Sequence, residues 1–388
     1  MRTVQRPAVT ALLAAAALVL TAGCSSGTAP RPDGGTRSTP APSSPGASTS
    51  ASAADLPPPK GSVKVTRTVA QGLKSPWGVA PLPDGGLLVA SRDEGTVSRI
   101  DAAGKQTVIG SVPGVKPGGE GGLLGLALSP AFASDHQVYA YFTTESDNRI
   151  ARMIYDEKRP AGEQLGAPDT ILRGIPKGTI HNGGRIAFGP DKMLYAGTGE
   201  TGDRGLAQDK KSLGGKILRM TPDGQPVHGN PEADSVVYSS GHRNVQGLAW
   251  DGAKRLWASE FGQDTWDELN VIGPGDNDGW PLVEGKGSKP GFVDPVEQWK
   301  TSDASPSGVA YAAGSIWMAS LRGERLWRIP LDGTKPLARP EAFLTSTYGR
   351  LRTVIATGPH TLLLVTSETD GRGTPKPGDD RILELEVT

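Results

Sequence analysis

A single cysteine, few aromatic side chains and no surplus of either charge set the first limits on this chain. Cys24 has no second cysteine to pair with, so an internal disulfide is excluded. The 41 basic and 41 acidic residues balance, which argues against nucleic acid or an acidic membrane surface as the main partner. Aromatic residues make up only 5% of the 388, yet eight of them are tryptophan, recurring beside candidate strands. No stretch carries convincing helical periodicity, which disfavours an α/β sheet. The one long apolar run, Ala8–Ala22, is too short to span a bilayer as a stable anchor.

That run follows Arg2 and Arg6 and ends in Leu20-Thr21-Ala22-Gly23-Cys24, which resembles the lipobox of bacterial lipoproteins. The resemblance implies cleavage before Cys24, acylation of its thiol, and an exported protein lipid-anchored to the outer face of the cell membrane. No other membrane contact is expected. Residues 1–24 then form a lipoprotein signal peptide. Residues 25–60 are Ser, Thr, Pro, Ala and Gly with scarcely an apolar side chain. Such a segment buries too little to offset its ordering entropy and reads as a flexible tether. Residues 61–388 are left as the folded domain.

Within that domain one pattern returns six times. It runs Trp77-Gly-Val-Ala, Leu124-Gly-Leu-Ala, Arg185-Ile-Ala-Phe, Gly247-Leu-Ala-Trp, Gly308-Val-Ala-Tyr and Thr353-Val-Ile-Ala. Each copy is followed by a second apolar run across a turn, and most by a third strand. The copies are spaced by roughly 45 to 62 residues, the signature of propeller blades built from three or four short strands. The fold class expected is all-β, a six-bladed β-propeller. The lone strand Val63–Val69 is expected to close the ring against Ile382–Val387, leaving no open sheet edge there. Long insertions at Thr201–Leu213, Gly273–Ser305 and Ser367–Asp380 are expected between neighbouring copies, on a rim that carries the chemistry.

Three dense stretches supply candidate site residues. In the stretch Ile180–Glu200, His181 sits on a glycine-rich approach to a hairpin whose second strand ends at Glu200. A histidine paired with a carboxylate in this way is a general base held in one tautomer. Arg243 and Asn244, on a glycine-flanked turn, offer donors to an anion or a carbonyl. The stretch Ser259–Asn270 concentrates carboxylates and free carbonyls around Gly262, a composition suited to a hard cation such as calcium. Arg322, Arg350 and Arg352 bring three more guanidiniums near strand ends. Four arginines around one channel call for a compact, multiply carboxylated ligand rather than a neutral sugar alone.

The motifs HNGGRIAFGPD, GHRNVQGLAW, DELN and NDGWP together resemble those of the soluble glucose/sorbosone dehydrogenase family. The likeness runs from about residue 70 to the end and is nearest to the aldose sugar dehydrogenase branch. It implies a quinoprotein propeller that oxidises aldoses to lactones with pyrroloquinoline quinone and Ca2+, passing electrons to an external acceptor. By that resemblance His181 is the base on the anomeric hydroxyl and Glu200 orients it. Arg243 and Asn244 contact the quinone, while Arg350 and Arg352 clamp its carboxylates. Arg322 stands in place of a family lysine, and Glu120 where relatives often carry Gln beside the cofactor. The carbonyls of Gly262 and Gln263 hold the catalytic calcium, and Glu268 with Asp278 a separate structural one. Phe261 and Gln263 occupy positions that are often His or Gln and Pro in relatives. Two other classes remain open on the residues themselves. One is a non-redox, metal-dependent lactonase using His181; the other is a non-catalytic carbohydrate- or protein-binding lipoprotein.

Overall fold

The computed structural model describes residues 56–388. The expected signal peptide, Cys24 and the expected tether up to residue 55 lie outside that range. The last five residues assigned to the tether belong with the domain: Pro58 O accepts a 2.8 Å hydrogen bond from the buried Arg328 guanidinium.

After an opening strand β1 (Val63–Ala70), the chain forms successive antiparallel sheets. The first holds β2 (Pro76–Pro81), β3 (Leu87–Ser91), β4 (Thr96–Ile100) and β5 (Gln106–Ser111). The second holds β6 (Leu123–Leu128), β7 (Gln137–Thr143), β8 (Asn148–Ile154) and β9 (Asp169–Ile175), and the third β10 (Ile186–Phe188), β11 (Leu194–Gly197), β12 (Lys216–Met220) and β13 (Val237–Ser240). The fourth is β14 (Val245–Trp250), β15 (Leu256–Glu260), β16 (Trp266–Ile272) and β17 (Glu297–Lys300). The fifth is β18 (Pro306–Ala312), β19 (Ser315–Ser320) and β20 (Arg325–Asp332), edged by β21 (Lys335–Pro336) and β22 (Glu341–Phe343). The sixth joins β23 (Leu351–Gly358), β24 (Thr361–Thr366) and β25 (Ile382–Val387) to β1. The six-bladed propeller expected from the repeat is therefore present. So is its closure, an antiparallel pairing that runs from Val63 opposite Val387 to Ala70 opposite Ile382 with two register shifts on β1.

The repeated glycine has a steric cause. The first strands of neighbouring blades approach so closely that a Cβ on Gly78 would collide with the carbonyl of Leu124, and one on Gly247 with that of Ser307. Two copies lack this glycine, carrying Arg185 and Thr353 instead. Their side chains bond to each other across the ring: Arg185 Nη2 donates to Thr353 Oγ1 at 3.1 Å and its Nε to Gln246 O at 2.8 Å. Burial between the blades supplies the hydrophobic stabilisation, with strands such as β19 covered along their whole length.

The long insertions do not separate neighbouring blades as the repeat suggested. Thr201–Leu213 joins β11 to β12 and Ser367–Asp380 joins β24 to β25, both inside a blade. Most of Gly273–Ser305 joins β16 to β17. Apolar runs mark where strands are but not which pairs a long loop connects, which is why the sequence misplaced them.

Candidate active site

A cavity of about 280 Å³ opens at the rim where the innermost strands begin. Its floor comes from residues just ahead of the repeated glycine position, Trp77, Gln246 and Arg352. Its walls come from loops between blades and from second-to-third strand loops. They bring His181, Arg243, Asn244, Arg322 and Arg350 together with Glu120, Gly262 and Gln263. Glu200, Glu268 and Asp278 stand behind this wall rather than in it.

His181 is held from three directions. Its backbone is left-handed at φ +53°, its N–H donates to Glu120 Oε2 at 2.8 Å, and its Nδ1 meets Glu200 Oε1 at 2.5 Å. Glu200 is 1% exposed and its second oxygen has no hydrogen-bond partner among the described residues, so its polar interaction is directed at the imidazole. With Nδ1 engaged, Nε2 is the ring nitrogen left for the cavity. That is the arrangement of a base with a fixed tautomer.

The guanidiniums are arranged as a receptor for anions. Arg350 Nη2 and Arg352 Nη2 both donate to Asp370 Oδ2, at 3.1 and 2.8 Å. Burial works to raise the Asp370 pKa, but Arg352 and Arg350 outweigh it and hold the carboxyl well below the usual range. Burial pulls Arg352 down to about 10, and its Cζ lies 5.8 Å from the Trp77 ring centre. Arg243 is also lowered by burial; its Nη1 donates to Phe261 O at 3.3 Å and its Nε has no hydrogen-bond partner among the described residues. Asn244 is buried and anchors Gly183 N through Oδ1 at 2.9 Å. Arg322 is exposed at the mouth without an ion pair among the described residues. Six arginines against three carboxylates, Glu120, Asp267 and Asp370, line the cavity, a balance that favours a multiply anionic ligand.

Two donor sets suit a hard cation. At the cavity, the N–H groups of Gln263 to Trp266 all turn toward Glu284 Oε1, and Gly262 N toward Asp267 Oδ1. The carbonyls of Gly262 and Gln263 accept no hydrogen bond among the described residues. Burial lifts neighbouring Asp267 to about 6. Deeper, both oxygens of Asp278 and Oδ1 of Asn270 are buried without a hydrogen-bond partner among the described residues, although His242 Nε2 lies 3.4 Å from Asp278 Oδ2. Burial, reinforced by Glu260, raises Glu268 to about 8, and burial raises Asp278 to about 7. The unsatisfied Asp278 carboxylate and Asn270 amide oxygen, with Glu268 bonded to Asn270 Nδ2 at 3.2 Å, suit a hard cation. No three His, Cys, Asp or Glu side chains converge on one point among the described residues. A cation here would thus rest on two carboxylates and on amide or carbonyl oxygens.

Several functional positions escaped the sequence reading. Asp370 and Arg372 lie in an insertion with no local motif, and Trp77 reads as a repeat marker rather than a cavity floor. His242 is fully buried, with Nδ1 on Glu260 Oε2 at 2.6 Å and Nε2 on Ser239 Oγ at 2.7 Å, 3.4 Å from Asp278 Oδ2. Its place inside GHRN was the available signal. Trp257 and Trp317 are blade core, as their strands suggested, and are fully buried.

A model described as glucose/sorbosone dehydrogenase matches residues 73–374. The PQQ-bound form of an aldose sugar dehydrogenase from Streptomyces coelicolor superposes with a TM-score of 0.85 at 74% identity, covering 86% of this chain and 100% of that one. An aldose sugar dehydrogenase of Escherichia coli K12 is 32% identical over 77% of this chain and 89% of its own. The quinoprotein glucose dehydrogenase B of Acinetobacter calcoaceticus is 28% identical over 64% of this chain and 59% of its own.

Proposed function

Because the chain belongs to the glucose/sorbosone dehydrogenase family, we propose that its rim cavity oxidises aldoses at C1 to lactones with the help of calcium. It is a quinoprotein oxidoreductase, an aldose sugar dehydrogenase working with pyrroloquinoline quinone. When bound, the quinone supplies the two-electron acceptor that protein side chains lack. Arg350 and Arg352, already gathered on Asp370, would hold its carboxylates, with Arg322 and Glu120 at the mouth. Arg243 and Asn244 face the cavity where negative charge would develop. The Gly262 and Gln263 carbonyls would hold one calcium, and Glu268 with Asp278 a second.

His181 Nε2 takes the proton from the anomeric hydroxyl, and Glu200 keeps the Nδ1 proton in place and stabilises the imidazolium that forms. The carrying observation is this histidine, locked to a buried carboxylate and facing a cavity walled by guanidiniums. The test is reconstitution of the apo chain with pyrroloquinoline quinone and calcium, followed by dye reduction on adding aldoses. His181→Gln should abolish turnover while leaving quinone binding nearly intact. Failure of the quinone to bind at micromolar concentration would overturn the reading, and lactone hydrolysis without quinone would replace it.

The leader motif supports an address as well. We propose that the mature chain begins at acylated Cys24 and works at the outer face of the membrane. Cys24→Ser should release the activity from the membrane fraction with the domain intact. An unmodified N-terminus elsewhere, seen by mass spectrometry, would refute it.

A further inference from the structure

A second cavity of about 380 Å³ adjoins the first and shares Arg322, Arg350 and Arg372 with it as a common wall. Its far side carries Lys376 and Arg381. The carboxylates that line it are largely occupied. Glu368 accepts from the N–H of Arg350 at 2.6 Å and of Thr374 at 2.7 Å. Asp379 pairs with Arg381 at 3.3 Å and accepts from Lys376 N at 2.8 Å. Arg322 and Lys376, both exposed, have no carboxylate partner among the described residues, leaving Glu324 as the unpaired acid. The annex is therefore a solvent-open, cationic recess, separated from the first cavity by single side chains.

We propose that this annex receives the oxidising co-substrate, a small anionic electron acceptor. The inference rests on the dehydrogenase reading above. Oxidation of the hemiacetal C1 breaks its C–H and O–H bonds, forms the lactone C=O and releases two protons and two electrons. The protons go to solvent by way of His181. The electrons must leave to two equivalents of a one-electron acceptor, or one of a two-electron acceptor, before the next sugar reacts. Such an acceptor has to come within a side chain or two of the clamp arginines. The annex is lined by one of those arginines, Arg350, and by none of His181, Glu200 or Gly262, so it adjoins the clamp rather than the proton-taking side. Its net positive charge selects an anion and steers its approach.

The test uses the reconstituted full chain, with hexacyanoferrate(III) as the anionic acceptor and phenazine methosulfate as the cationic one. At low ionic strength Lys376→Glu should raise the KM for hexacyanoferrate(III) by roughly three- to tenfold, and Glu324→Gln should lower it. Lys376→Arg should retain the wild-type value. The KM for aldose and turnover with the phenazine dye should stay unchanged, and added salt should erase the differences. A hexacyanoferrate(III) KM indifferent to both charge changes overturns the proposal. So does a shift that appears for uronic acids in place of the acceptor, which would assign the annex to the sugar. Wild-type protein that reduces neither acceptor would instead bring down the dehydrogenase reading, and this inference with it.

Discussion

At the scale of single residues, the site depends on side chains whose partners are themselves buried. Glu200→Gln keeps the shape but offers Nδ1 an amide in place of a carboxylate. The imidazole loses both its fixed tautomer and the charge that stabilises its protonated form. Turnover should fall by about 10²–10⁴ while sugar KM and quinone binding move little, as read from steady-state kinetics and titration. Asp370 contributes to stability rather than to the proton. Its folded pKa lies below the ordinary carboxylate value despite burial, because of Arg352 and Arg350. The stabilisation it gives is therefore present above the unfolded value and lost as pH falls through the depressed one. Asp370→Asn should cost about 3 kcal/mol at neutral pH by stranding buried guanidiniums, with the gap to wild type closing only in strong acid. Thermal melts across pH measure this. His181 and Arg243 were legible in the sequence because each stands in a short motif. Asp370 was not, since its meaning comes from arginines 18 and 20 residues before it. An isolated aspartate in a glycine-rich loop looks like a turn.

At the scale of elements, the repeat was legible because it records a packing constraint: close approach of the first strands demands glycine in four of six copies. The two exceptions, Arg185 and Thr353, look like weak copies in sequence and turn out to bond one another 168 residues apart. Pairing across a channel leaves no trace in local spacing. The long excursion after β16 was legible as an insertion but not as the support of the proposed calcium ligands. It returns to place Asp278 by His242 and to bring Gly285 N to Glu268 Oε1 at 2.6 Å. Calcium should stabilise the fold by about 2.7 kcal/mol at a hundredfold excess over its dissociation constant. Chelation should lower the melting temperature, and the Glu268→Gln/Asp278→Asn pair should remove most of the calcium response. An unchanged melting temperature would discard the deeper site.

At the scale of the whole molecule, the ring depends on one strand supplied from the other end of the chain. The sequence showed that closure, because Val63–Val69 has no hairpin of its own to join. Deleting residues through Ala70 would leave β25 as an unpaired edge and uncover its buried Leu383 and Leu385. The truncated protein should lose its single cooperative melt and self-associate, as seen by calorimetry and size exclusion. A truncated chain that stays monomeric with an unaltered melt would show that the sixth blade closes without it.

The eight tryptophans are unevenly placed with respect to the cavity, and this gives the molecule an optical signature. Most lie within or against the blades, while Trp77 forms part of the cavity floor with Arg185 Cζ 4.3 Å from its ring centre. Trp280 lies beneath Arg243, its ring centre 5.6 Å from the guanidinium carbon. Indole emission from these two is sensitive to the charges beside them. It would also pass by resonance to any near-ultraviolet absorber seated on the floor. Filling of the cavity can thus be followed by intrinsic fluorescence, without sugar or electron acceptor, which separates occupancy from turnover.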